Sequence, residues 1–334
     1  MSKHILQQLA QDAGIIFPHG THKMLDDSVR RALAMDAQPT LNTMGNSGIP
    51  AWMLTYVDPK LIEVVLQPMK AAEIFGEVKK GDWITDTAMF MTVEPTGETS
   101  SYGDYSNNGV SGVNVNFPQR QSYHYQVFTR WGEREVERAG AAKIDYVSQV
   151  NQASVMTLNR FQNKTYLFGV KGLQNYGLLN DPHLPAASVA AQTWANATGE
   201  QVYESIRVLF QKLLKQTGGN IDMNTPLVLV CSPEASVNLT KTNQYNVNVY
   251  DQLAKNFPNL RVETIPEYAT AAGEMVQLIV EELLGQKTVE MGFTEKLRAH
   301  TIEPKGSYIQ QKKSQGTWGA IIYRPFCIAS MTVS

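Results

Sequence analysis

The sequence has 334 residues, with 29 Lys and Arg against 31 Asp and Glu, for a net charge of −2. That balance, without a strong basic run, gives sequence-specific nucleic-acid binding little electrostatic support. Hydrophobic residues make up 43% and charged residues only 18%, below the ~25% typical of soluble domains, so either much surface is buried against partners or the surface is rich in Asn, Gln, Ser and Thr.

Residues 1–55 are the least regular part. Short amphipathic patches at His4–Leu9 and Met24–Met35 lie among Gly14, Pro18, Gly20, Pro39, Gly45, Gly48 and Pro50, and Lys3, Lys23, Arg30 and Arg31 balance Asp12, Asp26, Asp27 and Asp36. So long a stretch with so little periodicity is uncommon within a compact domain. It is read as an arm that gains order by lying on something else, or as a loosely packed start of the same fold. Asp58-Pro59 then sets a helix start, Asp as N-cap and Pro at the first helical position. Its apolar face takes Ile62, Val65, Leu66 and Met69, Pro68 is placed to kink it, and it ends near Gly76.

Two β-like runs follow, Ile84 to Val93 and Val113 to Phe128, joined by a Gly-, Ser-, Asn- and Tyr-rich segment from Gly97 to Gly112. This predicts a long hairpin with a polar tip. An isolated two-stranded ribbon is marginally stable in water, so it needs support, and a neighbouring subunit is the favoured source. Tyr102 and Tyr105 at the tip, Phe117 and Tyr123 are the candidate contacts there. Glu133-Arg134-Glu135-Val136-Glu137-Arg138 would, if extended, put the three Glu on one face and the two Arg on the other. It reads as a solvated edge that deters stray pairing or as charge pairs at a subunit contact, with Glu133, Arg134, Glu135, Glu137 and Arg138 as candidates.

From Ala141 to Phe168 small or apolar residues recur at Ile144, Val147, Val150, Ser154, Leu158, Phe161, Thr165 and Phe168, a helical spacing. Lys143, Asp145, Gln149, Gln152, Asn159 and Asn163 occupy the other face, and Gly169 suits the C-cap. At ~1.5 Å per residue this helix would span roughly 40 Å, long enough to act as a spine. A second amphipathic helix is predicted over Thr198–Gly218 with Val202, Ile206, Leu209, Phe210 and Leu213 inward. Leu227–Cys231 is a buried strand closed by Ser232-Pro233. Val237–Phe257 holds one or two helices, and Leu260–Val262 and Met275–Val280 are strands. Val289–Thr301, Ser307–Gln311 and Trp318–Val333 are further strands, the last interrupted by Pro325 and returning to the spine. Chains of this length exceed the ~250–300 residues at which single cores stop growing, so two subdomains, or a core with extensions, are expected.

Catalytic signatures are sparse. No Walker loop, nucleophile elbow or dinucleotide glycine pattern occurs. His19 and His22 with Asp26 and Asp27 have plausible metal spacing, but no other His or Cys is placed to complete a shell, and neither a metal nor a cofactor is assigned. Glu281-Glu282 point to opposite sides of a strand end. Cys231 and Cys327 sit in apolar runs as two buried thiols rather than a disulfide, which fits a reducing cytoplasm. No apolar run reaches membrane-spanning length and the N-terminus lacks a signal-peptide core, so assembly in a cytoplasm is expected and the triplets at Asn163, Asn196 and Asn238 carry no glycosylation meaning.

The order of these parts resembles the major capsid proteins of tailed bacteriophages, with the Hong Kong 97-type fold that encapsulin nanocompartments share. The resemblance is carried by Arg160-Phe161, Leu167-Phe168-Gly169, Gly172-Leu173, Gly177-Leu178-Leu179-Asn180-Asp181-Pro182, Cys231-Ser232-Pro233 and Tyr323-Arg324-Pro325. It covers essentially the whole chain, through short motifs whose order and spacing matter. It implies an α+β fold with an N-arm (1–55), a helix leading into the P-domain (56–82), an extended β-hairpin E-loop (83–131), a P-domain with the long spine helix (132–188), an α/β A-domain (189–285) and C-terminal strands returning to the P-domain (286–334). It further implies a structural, non-enzymatic protein of the virion. Hexamers and pentamers would build an icosahedral shell around phage double-stranded DNA without sequence-specific binding and without a membrane. A separate scaffolding protein, a portal and decoration proteins are the other partners it admits. The alternatives are an encapsulin-type shell around an enzyme cargo and an α/β enzyme with a site within 190–285. One departure stands out: the archetype cross-links through an E-loop lysine, and no lysine lies between Lys80 and Lys143.

Overall fold

The computed structural model describes residues 67–142, 144–271 and 273–333. The arm at 1–55, the helix start at Asp58-Pro59 and the His19/His22/Asp26/Asp27 group lie outside the described residues. In chain order, a short helix α1 (Ala71–Phe75) ends at Gly76 and is followed by β1 (Glu77–Lys79). The ribbon comprises β2 (Thr87–Met89), β3 (Thr92–Glu98), β4 (Val110–Asn116) and β5 (Gln119–Gln121). Then come β6 (Tyr123–Gly132), α2 (Glu133–Ala141) and α3 (Tyr146–Phe168). The α/β part runs through β7 (Ser188–Val189), α4 (Gly199–Gln216), β8 (Leu227–Cys231), α5 (Pro233–Val237), α6 (Val249–Asn256), β9 (Leu260–Thr264), β10 (Ala269–Thr270) and β11 (Gly273–Val280). A small hairpin, β12 (Glu282–Leu283) with β13 (Gln286–Lys287), leads to the long strands β14 (Val289–Lys305) and β15 (Tyr308–Ile322), and β16 (Ile328–Thr332) closes the described chain.

Two sheets organise these elements. The larger has the order β7-β16-β11-β8-β9, with β10 on β11. β8 is buried at all five positions because both of its faces are covered, which is why its sequence is a continuous apolar run rather than an alternation. Leu227, Leu229 and Cys231 face α4, whose Val202, Ile206, Leu209, Phe210 and Leu213 are all buried. Val228 and Val230 face the opposite way, onto Tyr166, Leu167, Leu178, Phe75 and Met291. Thr198 starts α4 with a reciprocal cap, its side chain accepting from Gln201 N–H while Gln201 accepts from the Thr198 N–H, as a Thr-x-x-Gln box should.

The second sheet has the order β1-β14-β15-β6 and lies against α3 largely through polar contacts. The Lys313 ammonium donates to Asn151 and to the Ser154 hydroxyl (2.7 Å), the Gln315 amide to Asn159 (3.0 Å), and Phe161 packs its ring 4.5 Å from that of Tyr125. The buried face of α3 therefore differs from the apolar stripe expected: Gln162 and Asn163 are buried, while Phe161 is exposed and Ile144, also exposed, lies before the helix. Asn163, expected on the solvent face, accepts from the Ala71 N–H (3.2 Å) and donates to Glu267 (2.8 Å), holding the start of α1.

Three further expectations change. The helix expected from Ala141 starts at Tyr146, because Asp145 caps it by accepting from Ser148 N–H (3.3 Å). Glu133–Arg138 is helical, not extended: β6 ends at Gly132, whose N–H donates to Glu135 (3.2 Å), and Glu, Arg and Ala are good helix formers. The strand expected over Trp318–Val333 is two. Its first half belongs to β15 against α3, and a 3₁₀ turn at Pro325–Cys327 carries β16 into the larger sheet beside β11.

Both cysteines are fully buried and unpaired. Burial, then the charge of Glu274, pushes the Cys231 thiol up to about 12, and burial also raises Cys327. About 10⁻⁴ of the Cys231 thiol is then ionised at pH 8, against roughly a quarter of a free one. Native protein is expected to resist maleimide at pH 8 and to take up two equivalents in denaturant; a stoichiometric native reaction would refute the burial.

Candidate assembly surface

The ribbon is the part of the described chain whose structure its own fold does not explain. β3 and β4 pair in unbroken register from Thr92↔Asn116 to Glu98↔Val110, and every residue of both strands is exposed. Met89, Met91, Val93, Val113, Val115 and Phe117 are exposed, and Val93, Val113 and Val115 share one face of the ribbon, while Val110 is exposed on the other face opposite Glu98. Contiguous exposed apolar surface of this kind is a candidate for contact with another surface. Tyr102 and Tyr105 sit between the strands at the tip, 92% and 103% exposed. Residues 81–119 include Asp82, Asp86, Glu94, Glu98 and Asp104 and no Lys or Arg. Tyr123 lies apart from this surface: it is half-buried at the start of β6, where its ring meets Phe161 at 6.0 Å and Tyr125 at 6.3 Å.

α2 is the second such element, with no buried residue. As a helix it sets Glu133 with Glu137 and Arg134 with Arg138 at i,i+4, like charge beside like charge, which disfavours an isolated helix. Glu135 is held to Gly132 and lies 3.4 Å from the Tyr146 hydroxyl. Among the described residues none of Glu133, Arg134, Glu135, Glu137 and Arg138 makes an ion pair within its own chain.

Sequence reasoning missed a basic depression on the sheet face turned away from α3. Arg298, His300, Lys305 and Lys312 surround Phe128 there, with a volume of about 650 Å³. Arg298 is also held by Trp83, its guanidinium 4.9 Å from the ring, and the Trp83 ring packs against His124 at 4.5 Å. Arg298, Lys305 and Lys312 come from β14 and β15, 14 residues or fewer apart in sequence yet never adjacent, so no basic run announces them. Glu303 is paired with Lys305 (3.3 Å) and takes a hydrogen bond from Gln310.

Chemistry of another kind has little purchase. Among the described residues no three His, Cys, Asp or Glu side chains cluster closely enough to hold a metal ion. No described helix is long and apolar enough to cross a membrane. The Tyr166 hydroxyl, between Gln162 (2.7 Å) and Glu77 (3.2 Å), is pushed upward by burial and then by the Glu77 charge; it ties α3 to β1.

The fold has solved counterparts. The capsid of Myoviridae phage XM1 superposes with a TM-score of 0.74 at 16% identity, covering 86% of this chain and 100% of that one. The capsid of the native GTA particle gives 0.60 at 8% identity, covering 88% and 100%, and a structure from Mycobacterium phage Bobi gives 0.57 at 11%, covering 85% and 97%. At such identities the likeness speaks for the fold, a mixed helix-and-sheet architecture of phage capsids. A comparison with curated proteins found no match. Residues 40–333 match the family described as Pa193 gp26 major capsid protein, and with almost the whole chain inside that match, the chain belongs to this family of phage major capsid proteins.

Proposed function

We propose that the chain assembles as hexamers and pentamers into an icosahedral shell that encloses double-stranded phage DNA, using a Hong Kong 97-type subunit. The observation that carries this reading is the ribbon, an ordered limb whose strands β3 and β4 are exposed at every residue. In this reading it is the E-loop (83–131), α3 is the spine of the P-domain (132–188), α4 with the larger sheet apart from β16 is the A-domain (189–285), and 1–55 is the N-arm; β16, from the C-terminal segment (286–334), joins the A-domain sheet rather than the P-domain. Tyr102, Tyr105 and Phe117 on the limb, and Glu133, Arg134, Glu135, Glu137 and Arg138 on α2, are the proposed contacts between copies. The acid-only ribbon and the basic depression around Phe128 are of opposite sign, which favours contact between copies over repulsion. Contacts of this heterologous kind close into rings, and main-chain pairing along a limb tolerates small changes in curvature. Assembly in the host cytoplasm, with separate scaffolding, portal and decoration proteins, belongs to the same proposal.

Negative-stain microscopy of the purified protein tests it. Closed shells with five- and six-fold rings, and particles from infected cells that hold genome-length DNA, are expected. A small discrete oligomer would overturn the reading, and small shells filled with a cargo protein would replace it with the nanocompartment alternative. Denaturing electrophoresis of intact shells is expected to give a monomer band, since no ribbon lysine is available for an isopeptide bond; a covalent ladder would refute that.

A further inference from the structure

The ribbon leaves the rest of the chain through one narrow stem. β2 pairs with β5, Ala88 opposite Arg120, and the Phe90 N–H donates to Pro118 (3.0 Å). From residue 91 to 117 every position is exposed, so the direction of the ribbon must be set where the stem is attached.

That attachment is to the turn after α3. The Gln121 N–H donates to Gln174 (2.9 Å), whose own N–H donates to the Gln121 side chain (3.1 Å), and Asn175 donates to the Gln121 carbonyl (3.0 Å). These bonds fix one point. The neighbouring Arg120 supplies a second. Its guanidinium reaches Asp181 at 2.5 Å and lies 4.7 Å from the centre of the Tyr176 ring. The two side chains are 8% and 1% exposed, and among the described residues this is the one ion pair with both partners so deeply buried. The other Asp181 oxygen accepts from the His183 N–H (3.0 Å) and lies 2.9 Å from the His183 ring nitrogen.

The turn that carries Asp181 is itself fixed to the end of α3. Leu178 and Leu179 N–H donate to Tyr166 and Leu167, both at 2.9 Å, and Asn180 donates to Phe168. A hydrogen-bonded point and a planar guanidinium on a second rigid point together define an angle. A buried ion pair is weak evidence for stability, because well-packed apolar residues often replace it without loss. What an apolar pair lacks is the directional guanidinium–carboxylate hydrogen bond and the planar guanidinium laid against Tyr176.

We propose that Arg120 and Asp181 are positioning residues that set the angle at which the ribbon leaves the subunit. Leverage makes the angle matter. Seven residues at ~3.3 Å extend each strand by about 23 Å, so a tilt of about 10° moves the far end by about 4 Å, close to the ~4.8 Å between paired strands. The angle is a property of the single subunit; its consequence for shells rests on the function proposed above.

The test uses dissociated full-length subunits carrying spin labels at Ser106→Cys on the tip and Gln211→Cys on α4, with the buried Cys231 and Cys327 left unlabelled. Arg120→Met/Asp181→Leu is expected to keep the melting temperature near that of the parent, to at least double the width of the tip-to-body distance distribution, and to lower shell yield at least tenfold. Arg120→Lys, which keeps the charge and loses the planar guanidinium against Tyr176, is expected to broaden the distribution to an intermediate width. An unchanged width in a folded variant overturns the proposal, and so does failure of both variants to fold, which would make the pair a determinant of folding. A broadened distribution with shells at normal yield leaves the angle assignment standing and instead overturns the ribbon's role in assembly.

Discussion

Replacing residues 92–116 with two glycines is expected to abolish closed shells while leaving the subunit folded. Met91 and Phe117 follow the last ladder pair, Thr92↔Asn116, and a two-residue Gly-Gly link is a standard hairpin closure. The deleted segment buries none of its side chains, so its loss should change stability by no more than about 1 kcal/mol, or ~2–4 °C in melting temperature. Shell yield, read by sedimentation, should fall at least ~100-fold if the ribbon finds its surroundings on other copies. Shells at normal yield would remove the ribbon from assembly. An unfolded subunit would show that the limb supports its own chain.

The second large effect is local. Gly177→Ala is expected to destabilise the subunit by on the order of 4 kcal/mol, a value that marks a backbone conflict. A Cβ at Gly177 would lie 2.3 Å from the carbonyl of Leu167 and from the Phe168 nitrogen. These are backbone atoms at the end of α3, and no rotamer change clears them. Against total stabilities of ~5–15 kcal/mol the loss is large, and a melting temperature lower by at least ~8 °C is expected. Gly140→Ala in α2 is the control. Its Cβ would meet nothing within 4 Å, and alanine favours a helix over glycine by roughly 1 kcal/mol. A Gly177→Ala midpoint within the error of the parent would show that the turn can move away from α3.

These two sites also show what a single sequence discloses. The ribbon was legible because two β-like runs flank a Gly/Ser/Asn-rich tip, and α4 because Val202, Ile206, Leu209, Phe210 and Leu213 recur at helical steps, all five buried. Both are local patterns. The Glu-Arg alternation at 133–138 misled because it fits an extended two-sided strand as well as a solvent-exposed helix; the deciding feature was the Gly132–Glu135 cap, visible only once the end of β6 was known. The buried face of α3 was misread because polar neighbours bury polar residues: Asn163 is explained by Ala71 and Glu267, 92 and 104 residues away. Arg120 and Asp181, 61 residues apart, form no sequence motif, and neither do the cations around Phe128. Pairings of this kind exist only after the chain has folded, so periodicity has no means of showing them.

The β14–β15 hairpin has one more implication, for mechanics. Its register shifts four times, between Gly292 and Phe293, Phe293 and Glu295, Glu295 and Arg298, and Ala299 and Ile302. Irregularities of this type bend a strand and raise its local twist. An uninterrupted ladder would resist flexure along its whole length, like a leaf spring. This one is jointed, so flexure is expected to concentrate at a few known residues, between the unshifted stretches from Val289 to Gly292 and from Ile302 to Lys305.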